Sequence, residues 1–137
     1  MIGIILLASA LTVDLDAVRM IESSGNPQAY NESSGARGLY QITPICLADW
    51  NCIHPKNKYS LDDLWDPKIN KQIAAWYLFD RIPQLLDHYG AQISTERILW
   101  AHNAGPRKAA AGVMPQETKD YIRKYKEIVN HANKKDA

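Results

Sequence analysis

The stretch M20-I-E-S-S-G-N-P-Q-A-Y-N-E-S-S-G-A-R-G-L-Y-Q-I42 passes from helical to loop chemistry within a few residues and carries Glu-Ser-Ser-Gly twice, at Glu22 and at Glu32. Upstream, Leu11, Leu15 and Val18 recur at helical spacing, so the periodicity predicts an amphipathic helix from about Leu11 to Ser23, with Gly25 placed to stop it. Downstream lies a loop rich in Gly, Ser and Asn, then Gly38-Leu39-Tyr40-Gln41-Ile42, a run short and apolar enough to be extended. Projected at about 100° per residue, position 22 falls within roughly 20° of Leu11. Glu22 therefore ends the stripe that should face a core. Partial burial and the negative end of the helix dipole both favour the protonated carboxyl there, as a general acid requires. The plain alternative is a frayed helix end with its carboxylate in water. Glu32, between Asn31 and Ser33, should be ionised and solvated.

The remaining chain is read as helices. Thr43-Pro44 opens one that runs to about Asn51, and Asp66-Pro67 opens another carrying Ile69, Ile73, Trp76 and Tyr77, which Pro83 ends or kinks. A short helix from about Pro83 to His88 stops at Gly90. Ser94 caps the segment Thr95-Glu-Arg-Ile-Leu-Trp-Ala-His-Asn-Ala104, which ends at Gly105. The last helix spans about Gln116 to Ala132, with Tyr121, Ile122, Tyr125, Ile128 and Val129 as its apolar stripe. The predicted fold is mainly α in a single domain, with at most a very small β element between residues 28 and 42.

Composition bounds the function classes. The 137 residues suffice for one domain with a hydrophobic core, and 46% hydrophobic with 23% charged residues is a globular balance. A net charge of +1 excludes strong polyanion binding as a bulk property, so no nucleic-acid partner is expected. Lys119, Arg123, Lys124, Lys126, Lys134 and Lys135 read as a solvated helix face, with weak steering toward an acidic polymer as the minor reading. Residues 1–10 form an apolar, signal-like segment in which Ala8-Ser9-Ala10 has the form of a cleavage site, although no basic residue precedes it. Its alternative is a buried first helix. It is too short to span a bilayer.

Cys46 and Cys52 in one straight helix would stand roughly 9 Å apart, too far for a disulfide. A bridge needs the helix to end between them; otherwise both are free. With His54 as the only imidazole nearby and His88, His102 and His131 scattered, no metal site is expected.

Taken together, the 20–42 stretch, Ala101-His102-Asn103-Ala104-Gly105-Pro106 and the segment from Glu117 to Tyr125 resemble the lytic transglycosylase (SLT) domain family, relatives of goose-type lysozymes. Four motifs appear in the family's order: Glu22-Ser23, then Gly38-Leu39-Tyr40-Gln41, then Ala101 to Gly105, then Tyr121 after Glu117-Thr118. Each alone is weak, but four in order are specific. The resemblance covers about Asp14 to Tyr125 and implies a lysozyme-like fold over residues 11–137.

It further implies Glu22 as the single catalytic acid/base, supported by Ser23 and oriented by Tyr121. Gly38, Tyr40, Gln41, His102 and Asn103 become candidates for contact with substrate, and no cofactor is called for. Tyr40 stands where the family has methionine and His102 where it has tyrosine. An aromatic at position 40 suggests stacking on a sugar. The implied partner is the peptidoglycan glycan strand, met outside the cytoplasm (exported, periplasmic, wall-associated or phage-borne), in a secretion-system or phage setting and by a monomer. The competing readings are a lysozyme-like hydrolase, for which Glu32 would be the second carboxylate to check, and a catalytically inactive wall-binding module.

Overall fold

The computed structural model describes residues 12–135. The signal-like segment 1–10 and the proposed helix start at Leu11 lie outside them. Helices dominate, as the periodicity predicts, and the extended backbone among the described residues amounts to two isolated antiparallel bridges, Tyr30 with Arg37 and Arg37 with Ile42. By its internal contacts the chain divides into two compact units, residues 18–77 and residues 78–135 together with 12–17.

Helix α1 spans Leu15–Ser23. It begins at Leu15 because the Asp14 carboxylate accepts the Ala17 N–H at 3.1 Å, satisfying a donor that the first turn leaves open. It buries Ala17 and Val18 and leaves Leu15 and Glu22 half-buried.

In the 18–77 unit, α1 leads through the bridged loops to α2 at Pro44–Ile53, where Thr43 Oγ1 accepts the Cys46 N–H at 3.2 Å. A 3-10 turn at Asp62–Trp65 precedes α3, Pro67–Trp76, capped by Asp66 Oδ1 on the Lys68 N–H at 2.9 Å. The segment between α2 and the 3-10 turn is held by aromatic packing. Trp50 is stacked by His54 with ring centroids 3.7 Å apart, meets the Trp76 ring edge-on at 5.3 Å, and donates its indole N–H to the Asn57 carbonyl. Asn51 brackets the Tyr59 backbone with two 2.9 Å hydrogen bonds. Both cysteines lie in the unbroken α2 and are free, Cys46 half-buried and Cys52 exposed. The condition for a bridge, a helix end between them, is absent.

Pro83 has no N–H to continue the helical ladder, and a π-helical turn at Tyr77–Arg81 absorbs the misfit before α4, Ile82–His88. The second unit then adds α5 (Thr95–Ala104), α6 (Pro106–Ala111) and α7 (Gln116–Lys135). Ser94 caps α5 by accepting the Arg97 N–H at 3.1 Å. Helix α6 has no counterpart in the sequence reading. Six residues are too few to show a periodicity, although Pro106 at its first position and Gly112 in the left-handed conformation after it are its start and stop signals. Leu78, Ile82, Leu86, Ile98 and Leu99 form the core of this unit, each at most 1% exposed. The N–H of Asp14 reaches the Tyr125 hydroxyl at 2.8 Å, tying the chain ahead of α1 to α7.

Candidate functional site

In the 18–77 unit, Glu22 occupies the last turn of α1, half-buried. Ser23 beside it is committed to the helix end: its hydroxyl donates to the Arg19 carbonyl at 3.2 Å and accepts the Gly25 N–H at 3.2 Å. Ser24 follows with φ of 55°, a left-handed conformation uncommon outside glycine, and Gly25 with 81°. The chain thus leaves the helix abruptly after the glutamate.

The second Glu-Ser-Ser-Gly is a different object. Asn31 Oδ1 accepts both the Ser33 N–H and the Ser33 hydroxyl, while Ser34 Oγ accepts the Ala36 N–H. These bonds build a self-contained turn on which Glu32 is exposed.

The run from Gly38 to Gln41 is a tight turn, not extended strand. Arg37 and Ile42 exchange two backbone hydrogen bonds of 3.0 and 3.1 Å across its base, so the four residues between them must reverse the chain. Gly38, with φ of 82°, and Gln41, with φ of 53°, supply the left-handed corners. The turn sits on Asn70 of α3. The Asn70 amide accepts the Tyr40 N–H at 2.8 Å and donates to the Arg37 and Leu64 carbonyls at 2.8 and 2.9 Å.

A Cβ at Gly38 would lie 2.3 Å from the Asn70 amide nitrogen and 2.6 Å from the Leu64 carbonyl oxygen. The missing side chain therefore admits the Asn70 amide of α3 against the turn. Gln41 Nε2 donates to the Ala29 and Gly38 carbonyls, each at 3.1 Å. Its amide nitrogen is thereby used within the loop, and its oxygen remains as the acceptor.

Tyr40 corrects an expectation. It is 1% exposed, a core residue, and a ring so enclosed offers no face for a sugar. Replacing a flexible methionine by tyrosine here changes packing, not a stacking platform.

In the other unit, α5 and α7 bring four residues together. Thr118, fully buried, donates its hydroxyl to Asn103 Oδ1 at 2.7 Å. His102 and Tyr121 meet edge to face, with ring centroids 6.0 Å apart. Tyr121 is 6% exposed, and His102 and Asn103 are half-buried. The Thr118 bond fixes the Asn103 amide with its oxygen inward, leaving the nitrogen to donate.

Sequence reasoning missed Asn70 and Thr118 as the residues that hold the two motif blocks. The available signal was position: Asn70 shares a helix face with Ile73 and Ala74, and Thr118 with Tyr121 and Ile122, so each is polar on an inward stripe. Among the described residues no group of three or more His, Cys, Asp or Glu is arranged to hold a metal ion, and no helix is long and apolar enough to cross a membrane.

A family model described as the Transglycosylase SLT domain matches residues 12–127. The chain belongs to this family. Its mainly α architecture is that of the lysozyme-like SLT domain, and the match runs through both units and all four motifs. No curated protein and no solved structure matches it. Membership in the SLT family carries transglycosylase activity toward peptidoglycan as the family's activity.

Proposed function

We propose that the protein is a peptidoglycan lytic transglycosylase that cleaves the β-1,4 bond between N-acetylmuramic acid and N-acetylglucosamine, with Glu22 as its single general acid and base. The observation that carries this reading is the family match over residues 12–127, which includes Glu22 and the three motifs that follow it. Protonated Glu22 gives its proton to the glycosidic oxygen as the bond from the muramic C1 to that oxygen breaks. The substrate's own N-acetyl group stabilises the cationic centre. Glu22, now a carboxylate, takes the proton of the muramic 6-hydroxyl, and O6 closes on C1 to form the 1,6-anhydro ring. The acid is regenerated and no water is consumed.

The supporting roles follow from donors and acceptors. Asn103, its oxygen bonded to Thr118, presents an amide donor, and Gln41, its nitrogen bonded to two carbonyls, presents an acceptor. Each by itself suits one half of an N-acetyl amide, the Asn103 donor its carbonyl and the Gln41 acceptor its N–H. His102 is assigned to contact with a sugar beside Asn103, and Gly38 to shaping the loop that carries Gln41. Tyr121 is assigned the orienting role of the family's late-helix tyrosine. Ser23, with its hydroxyl bonded at the helix end, supports Glu22 by fixing the turn. The substrate lies outside the cytoplasm, so the setting proposed is periplasmic, wall-associated or phage-borne.

Mass analysis of muropeptides released from purified murein tests the reading. Anhydromuramic ends are expected. Reducing ends would assign a hydrolase, and an undigested sacculus a wall-binding module.

A further inference from the structure

Beside the Gly38 turn, the 18–77 unit holds a cation with an unusual set of neighbours. The guanidinium carbon of Arg37 lies 5.4 Å from the centroid of the Tyr30 ring and 5.9 Å from that of Trp65. The two rings are 6.3 Å apart and tilted by 57°, forming a wedge around the cation. Arg37 Nε is buried with no hydrogen-bond partner among the described residues. Leaving a charged donor unmet costs more than any neutral one, so a fold that keeps such a group lacks an acceptor that something else can supply.

The surroundings are built for recognition. The Arg37 backbone is pinned on both sides, by the paired bonds to Ile42 and by Asn70 on its carbonyl, so the root of the side chain is fixed. The guanidinium carbon lies within cation–π range of both rings, and the planar N–H fork of an arginine suits a planar acceptor. Tyr30 is 52% exposed, which puts the wedge at the surface. A guanidinium edge matches a carboxylate with two parallel hydrogen bonds, which neither a neutral sugar hydroxyl nor a lone carbonyl can reproduce.

We infer that Arg37, Tyr30 and Trp65 form a carboxylate-recognition subsite, and that its ligand is the free carboxylate of the peptide stems carried by the glycan strand. The inference rests on the proposed function for its substrate class. It adds a requirement that sugar chemistry alone does not make: the enzyme reads the peptide as well as the glycan.

The test measures binding of soluble glycan strands with their stems intact and of the same strands stripped of peptide. The full chain carries Glu22→Gln so that neither strand is consumed. Arg37→Gln is expected to weaken binding of stem-bearing strands about tenfold, as loss of a charged hydrogen-bond pair predicts. Binding of stripped strands should change less than twofold. Arg37→Lys should not restore the loss, because a point charge lacks the fork. Tyr30→Leu, at an exposed position, should weaken binding of the same ligand and serves if the Arg37 variants do not fold. Equal losses on both strands, or none on either, overturn the subsite. If the wild type releases anhydro ends from murein while the Arg37 variants show no strand preference, the subsite alone fails; a wild type that neither binds nor cleaves either strand sinks the proposed function with it.

Discussion

Asn70 Oδ1 accepts the backbone N–H of Tyr40 at 2.8 Å across thirty residues of sequence, and this one bond seats the Gly38–Gln41 turn on helix α3. The same amide satisfies the Arg37 and Leu64 carbonyls, so all of its hydrogen-bonding directions but one are used inside the fold. Asn70→Ala would strand three backbone groups in the interior and is expected to cost about 3 kcal/mol or more in denaturant unfolding. Asn70→Asp, though equal in size, cannot donate to the two carbonyls and should be at least as harmful. Wild-type stability in Asn70→Asp would contradict this role. Gly38→Ala, forced against the same amide and into a left-handed φ, should fail similarly.

Thr118 makes a separate prediction about function. Its hydroxyl fixes the Asn103 amide, so Thr118→Val keeps the shape of a buried side chain while freeing that amide to turn. The stability loss should be about 1 kcal/mol, with murein cleavage falling several-fold through a weaker KM. Thr118→Ser should restore most of the cleavage. Unchanged kinetics in Thr118→Val would mean that Asn103 needs no such anchor.

The two cysteines should behave differently despite sharing α2. A thiol reagent is expected to label Cys52 in the folded protein and Cys46 only on unfolding. Burial, reinforced by the nearby Asp49 carboxylate, pushes the Cys46 thiol from its ordinary 9.0 up to about 12. Between those values the unfolded chain gives up this proton while the folded chain keeps it. The stabilising contribution is therefore whole below about pH 9 and is lost as pH rises toward 12, by at most about 4 kcal/mol. Unfolding free energies of wild type and Cys46→Ala, compared across that window, should converge from the wild-type side. A constant gap would contradict the shift.

Glu32 sits exposed on a turn whose polar groups satisfy one another. Glu32→Gln should keep most of the cleaving activity, measured as muropeptide release. A loss comparable to that of Glu22→Gln would point to a two-carboxylate hydrolase instead.

Much of this arrangement was legible in the residues because local chemistry decided it. Thr43, Asp66 and Ser94 cap the helices that their side chains predict, and the stripe of α7 faces inward at Tyr121, Ile122 and Tyr125. The expected element at residues 38–42 came out as a turn because its acceptor, Asn70, lies far along the chain, where no local pattern reveals it. The resemblance suggests sugar stacking for Tyr40, and a lone tyrosine between Leu39 and Gln41 has no periodicity to show that it is buried. Asn70 and Thr118 escaped notice for a related reason. A polar residue on an inward helix face announces only that it needs partners, and the partners belong to other segments. The two Glu-Ser-Ser-Gly copies were separable from the start by what precedes them, an amphipathic helix in one case and a polar loop in the other.

The central claim is that Glu22 alone serves as acid and base, and one digestion tests it most directly. Purified murein is treated with wild type and with Glu22→Gln, whose fold is checked by unfolding, and the released muropeptides are weighed by mass spectrometry. The account predicts 1,6-anhydromuramic ends from the wild type and a loss of release of at least about a thousandfold in the variant, in keeping with the removal of a group that transfers the proton in both steps. Anhydro ends released by Glu22→Gln at a rate near that of the wild type would contradict it.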